Sequence, residues 1–168
     1  MKQPRITNKL NPLTLTARLV LFYINHIANA GLREAYMNRT VSTIDGVVYV
    51  PAHWTAEQVA KLPESTIFAH EKVHILRASQ TRFWQLRYIL SAEFRLQEEC
   101  IAYLVQHYWG GASIASIAGV LYDIYELGHE YHTLNVAMQQ MAKRLPRDKY
   151  LLAYGEALIT LPSIDRVH

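Results

Sequence analysis

Apolar side chains recur at helical spacing through most of the chain. Leu15, Leu19, Phe22, Tyr23 and Ile27 share one face of a helix expected over about residues 13–29, which Gly31 is placed to interrupt. Thr55 and Gln58 form a capping-box pair opening a short helix that Pro63 closes. A helix over 65–79 follows, then a stretch at 82–109 that favours helix almost throughout, with a break at Ser91 and a stop at Gly110-Gly111. Ile114, Ile117, Leu121, Ile124 and Gly128 mark another amphipathic helix. Leu134, Met138, Met141 and Leu145 mark a further one ended by Pro146, and Asp148 is placed to cap a last helix running to about Ile159. One segment reads differently. Between Thr40 and Pro51, Val41 and Ile44 precede Asp45-Gly46, and Val47, Val48, Tyr49 and Val50 follow. Asp-Gly between β-branched runs is a strong hairpin signal because both turn positions need positive φ. Pro51 cannot donate a ladder hydrogen bond, so its strand should end there or lie at a sheet edge. Residues 1–12, with Pro4 and Pro12 and little periodicity, read as an extended N-terminal arm. The pattern specifies an α+β fold, predominantly helical with one small β-hairpin or sheet. No repeat, low-complexity tract or Gly/Ser linker divides it, so residues 1–168 read as one domain.

Composition narrows the class. With 168 residues and 51% apolar content the chain can bury a sizeable core unaided, which excludes disorder. Charged residues make up only 18%, and eleven Tyr, three Trp and four Phe supply large amphipathic surfaces. A large internal core explains this, and so does surface buried in a homo-oligomer or larger assembly. The net charge of +3 is spread along the chain without a basic run longer than Lys143-Arg144, so no nucleic-acid partner is expected. Cys100 is the single cysteine, which excludes an intrachain disulfide and a cysteine-type zinc cluster and points to a reducing compartment. The polar stretch after Met1-Lys2 is no signal peptide, and the longest apolar runs, 19–24 and 114–122, fall short of the roughly 20 residues a membrane span needs. A soluble, cytoplasmic protein without a membrane partner is expected.

The chemistry concentrates in His70-Glu71-Lys72-Val73-His74, an H-E-x-x-H pattern within the helix at 65–79. Residues four apart on a helix differ by about 40° around its axis and about 6 Å along it, so both imidazoles can grip one cation. A catalytic zinc site takes three protein ligands and a water, which calls for a third ligand. Glu99, 25 positions after His74, offers one from the following helix, with its neighbour Glu98 as rival.

An H-E-x-x-H helix followed by a helix bearing E-x-x-A, here Glu99 to Ala102, resembles the gluzincin branch of the zincin metallopeptidases. The resemblance covers about residues 40–109 and includes the order of hairpin, short helix, H-E-x-x-H helix and Glu helix. It is similar to small zincin-like proteins of bacterial and bacteriophage genomes, which implies a virion location if the chain is phage-encoded. It implies a zinc-dependent metallopeptidase acting on a peptide or protein substrate, with His70, His74 and Glu99 as Zn2+ ligands and Glu71 as general base. Ala102 and Tyr103 fit the family register after Glu99, which favours it over Glu98. Two positions depart from the pattern: Lys72 is charged where the family is usually uncharged, and Tyr103 stands where many relatives carry the Asp that orients a ligand histidine. The alternative implied is a non-enzymatic assembly or virion protein keeping the scaffold.

The same residues have plainer readings. His70, Glu71 and His74 also suit a solvated helix face, and Glu99 could pair with Arg95 four residues before it. Tyr103, His107, His129, Tyr131 and His132 are each able to donate to a developing oxyanion, but packing or surface roles suit them too. His129 and His132, three apart, also suit a metal pair or a helix junction. Val47 and Tyr49 mark either a core strand or one along which an extended peptide lies. Cys100 reads as buried packing.

Overall fold

Val47–Val50 (β3) is the centre of a small sheet with the order β1-β3-β2. Ser42–Ile44 (β2) pairs with it antiparallel, Ile44 opposite Val47, across the expected Asp45-Gly46 turn. Both turn residues have positive φ, 50° at Asp45 and 74° at Gly46, the conformation that matches the twist of the flanking strands. Part of the presumed N-terminal arm is a strand: Arg5–Asn8 (β1) pairs in parallel with β3, Arg5 opposite Val47. With β1 and β2 on its two sides, β3 has no free edge, so Tyr49 and Val47 belong to a core strand and not to one that pairs with an extended substrate. The strand ends at Val50, before Pro51.

The computed structural model describes residues 4–125 and 129–158. It is mostly helical, about 70%, with this three-stranded sheet, and the described residues separate into two compact units divided between Leu62 and Pro63. In the first, Leu15–His26 (α1) begins where Thr14 accepts from the Ala17 amide, 3.1 Å. The helix stops before Gly31, because Asn29 accepts from Leu32 N and starts a new helix, Ala30–Glu34 (α2), with Gly31 inside it. A π-helical turn, Ala35–Arg39, continues from α2. The Lys9 side chain is buried and donates to the carbonyls of Tyr36 and Thr40 and to Thr40 Oγ1, with the Tyr36 ring 4.2 Å from its ammonium. Carbonyl partners and a ring face are what a buried ammonium requires. Ala56–Lys61 (α3) opens with the full capping box of Thr55 and Gln58, and Pro63 lies in the 3-10 turn Leu62–Glu64 after it.

The second unit is helical. Ser65 caps Thr66–Gln80 (α4) through the Phe68 amide at 3.2 Å. Trp84–Leu90 (α5) and Ala92–Tyr108 (α6) meet at Ser91, which ends one helix and caps the other. Gly110-Gly111 follows the end of α6, Gly111 at φ +69°. Ile114–Tyr125 (α7), Tyr131–Arg144 (α8) and Arg147–Leu158 (α9) complete the unit. Asp148 lies in the first turn of α9 and does not cap it, since Arg147 is already helical. Gly128 and Ile159 lie outside the described residues. Helix α4 packs against α6 and α9, and α7 against α8. Ala69 of α4 and Ala102 of α6 are fully buried in one core with Val73, Leu104, Leu121, Leu134, Met138 and Tyr150. Small side chains let the two helices that carry the H-E-x-x-H pattern and Glu99 approach closely. Among the described residues no helix is long and apolar enough to cross a membrane.

Candidate metal centre

The α4–α6 packing brings three donor groups together. His70 Nε2 and His74 Nε2 are 3.1 Å apart. Glu99 Oε2 lies 3.4 Å from His70 Nε2, and Oε1 lies 3.3 Å from His74 Nε2. All three residues are at most 4% exposed, and their ligand atoms lie within 4.8 Å of one another. They form a group that could hold a metal ion, and among the described residues it is the one group of three or more His, Cys, Asp or Glu able to do so. The donor set fits a cation in a further respect: beyond the 3.4 Å approach of His70 Nε2, the buried Glu99 Oε2 takes no hydrogen bond within the protein, which is costly for a carboxylate oxygen without a cation to meet. Two imidazoles and a carboxylate suit zinc and other borderline divalent metals, and three ligands leave a position open.

The rival carboxylate is committed elsewhere. Glu98 takes Arg77 Nε on Oε2 at 2.9 Å and Arg77 Nη2 on Oε1 at 2.5 Å, and Trp84 Nε1 donates to Oε2 at 2.9 Å. Neither oxygen is spare. Nor does Glu99 pair with Arg95, whose guanidinium donates to the carbonyls of Tyr88 and Ile89. Glu99 Oε1 instead accepts the Tyr88 hydroxyl. Aromatic rings wall the site: Tyr103 lies edge-on to His70 with centroids 4.4 Å apart, and Trp84 and Tyr88 lie 5.4 and 5.9 Å from His74. Nδ1 of both histidines is buried without a hydrogen-bond partner in the protein, so Tyr103 packs against His70 and does not orient it as the Asp of the family pattern would.

Electrostatics couples these groups. Burial alone would lower the His74 pKa, but the Glu99 carboxylate beside it, helped by Glu71 and Glu98, holds it above the ordinary imidazole value. Burial would raise the Glu99 pKa, and His74 and His70 outweigh it, keeping the carboxylate well below its usual range. Burial and then Glu99 push the Tyr88 hydroxyl far up, so it stays a donor. Glu71, between the two histidines, is buried on α4, and its charge acts on both His74 and Tyr88. Cys100 is buried beside Glu99, its thiol pushed up to about 12 by burial and that charge.

The remaining sequence candidates are dispersed. His107, eight residues along α6 from Glu99 and so about 12 Å up the helix, places Nδ1 3.0 Å from Ala112 O, where it donates and closes the end of α6. Tyr131 is exposed and donates to Ala115 O, tying α8 to α7, and His132 is exposed. His129 lies half-buried before α8, and among the described residues no group of three or more metal-capable side chains includes it or His132. The sequence reading did not find Arg77, Trp84 or Tyr88. The available signal was the aromatic pair at positions 84 and 88, four apart on one helix face and facing two adjacent glutamates. Comparison with protein-family models, with curated proteins and with solved structures finds no match.

Proposed function

We propose that the chain is a zinc-dependent metallopeptidase-like protein of the zincin type, hydrolysing a peptide bond at the His70, His74 and Glu99 cluster. One observation carries the reading: two imidazoles and a carboxylate from separate helices converge on one point, with the carboxylate of Glu71 in the same buried neighbourhood. The order of hairpin, short helix, H-E-x-x-H helix and Glu helix supports the zincin comparison. A zinc ion held there would supply Lewis acidity, lowering the pKa of a water and polarising the scissile carbonyl. His70 and His74 would hold the ion as neutral imidazoles, so protons compete with the metal for them. Glu71 then takes the proton of the attacking water and delivers it to the leaving amine. Glu98, neutralised by Arg77, keeps a second free carboxylate away from the ligands.

The test is digestion of a peptide library by the wild type and Glu71→Gln at equal zinc loading. Gln keeps the size of Glu but cannot take a proton, so zinc should remain while cleavage falls by about 100- to 10,000-fold. Equal cleavage by both proteins removes Glu71 from the mechanism.

A second reading, an assembly component that keeps the scaffold without catalysis, draws on Leu15, Leu19 and Phe22 of α1 and Ile27 at its C-terminal end, each more than half exposed. Under that reading the zinc-loaded protein cleaves nothing and sediments as an oligomer that Leu19→Glu disperses.

A further inference from the structure

The two oxygens of Glu99 are not equivalent. Each faces one imidazole, Oε1 at 3.3 Å from His74 Nε2 and Oε2 at 3.4 Å from His70 Nε2, but Oε1 also accepts the Tyr88 hydroxyl, whereas Oε2 is buried and takes no hydrogen bond of regular geometry in the protein. We propose that Tyr88 is a positioning residue that occupies Glu99 Oε1 and presents Oε2 alone to the metal, so that Glu99 binds through one oxygen. The inference rests on the metal reading and adds to it what decides the coordination number. A carboxylate can hold a cation through one oxygen or both. In a site with three protein ligands, the second oxygen would take a position that water and substrate need.

The placement of Tyr88 is secured from three sides. Its ring stacks on Trp84, centroids 4.8 Å apart and planes 22° apart. Trp84 in turn donates to Glu98, so one face of α5 holds two adjacent carboxylates of α6 by separate hydrogen bonds. Arg95 of α6 donates to the Tyr88 carbonyl at 3.0 Å and the Ile89 carbonyl at 3.3 Å, fixing the end of α5. Neighbours on a helix diverge by about 100°. The Trp84 bond to Glu98 and the Tyr88 bond to Glu99 therefore fix the rotation of α6 relative to α5, and with it the direction of Oε2. Hydrogen bonds that orient a ligand are commonly worth about 10- to 100-fold in metal affinity.

The experiment titrates wild type and Tyr88→Phe with Zn2+ and with Co2+, recording affinity, the visible Co2+ spectrum and thermal unfolding in chelator. Loss of the hydroxyl should weaken both metals by about 10- to 100-fold. It should also lower the intensity of the Co2+ bands, as the freed Oε1 joins the coordination sphere and raises the coordination number. Unchanged affinity and spectrum overturn the proposal, and so does a lower melting temperature with an unchanged spectrum, which is a structural role only. A wild type that binds neither metal overturns the metal reading, and this inference with it. Should Tyr88→Phe fail to fold, the infrared difference spectrum of the wild type on Zn2+ binding decides: widely split carboxylate stretches mark one-oxygen coordination, and narrowly split ones overturn it.

Discussion

Glu98 and Glu99 adjoin on α6 and are equally buried, yet one meets a guanidinium and the other two imidazoles. The difference follows from the 100° step between neighbours, and it makes opposite forecasts for the two glutamines. Glu99→Gln should abolish metal binding. Glu98→Gln should leave metal stoichiometry intact while destabilising the fold by about 1–3 kcal/mol, because it strips charge from the bonds to Arg77 and Trp84. Metal titration and urea unfolding of the two variants check this, and a reversed ranking moves the ligand to Glu98. Cys100, buried with its thiol held protonated, should resist alkylation at pH 8 in the native protein and react at once in urea. The donor cluster was legible because H-E-x-x-H spacing puts His70 and His74 on one helix face whatever the surrounding fold. Tyr88 and Arg77 were not, since their contacts depend on how α5 and α4 pack on α6, which no local pattern encodes.

Ser91 shows how much of the site rests on helix ends. Its backbone terminates α5 and its hydroxyl accepts from Phe94 N at 3.2 Å, so one residue sets the angle between the helix carrying Tyr88 and the helix carrying Glu99. Ser91→Ala should cost about 1 kcal/mol, measured by chemical unfolding without metal. In the hairpin, Gly46→Ala meets open space but keeps φ near +74°, so it should cost about 1–2 kcal/mol through backbone strain. These ends and turns were readable from sequence: Asp45-Gly46, the Thr55 capping box and the Ser91 break each have a local chemical cause. The start of α5 was not, because Phe83 reaches φ 58° without a glycine to announce it. Nor was β1, a four-residue strand whose parallel partner lies some 40 positions away and whose pairing is set by that partner.

For the whole molecule, the proposed metal site would tie stability to metal and to pH, with opposite signs in the two states. Without metal, the raised pKa of His74 means its contribution is present below about pH 6.5 and lost as pH rises through the folded value. The lowered pKa of Glu99 means its contribution is present above about pH 4.3 and lost as pH falls. The metal-free protein should therefore lose stability from this pair on going from pH 6 to pH 8. With excess Zn2+ the trend reverses, because protons compete with the metal for His74 and the increment from binding grows as pH rises. Melting curves with Zn2+ and with chelator at pH 6, 7 and 8 check both signs, and parallel trends contradict the linkage. That α4 and α6 meet at all was only partly legible, since the apolar pattern names the buried faces but not their partners. The central claim, that His70, His74 and Glu99 are metal ligands, is tested most directly by anomalous X-ray scattering from crystals grown with Zn2+, recorded on both sides of the zinc edge. The expected result is one peak per chain between His70 Nε2, His74 Nε2 and Glu99 Oε2, absent in His74→Ala. No peak there in fully zinc-exposed crystals, or a peak that persists in His74→Ala, would contradict it.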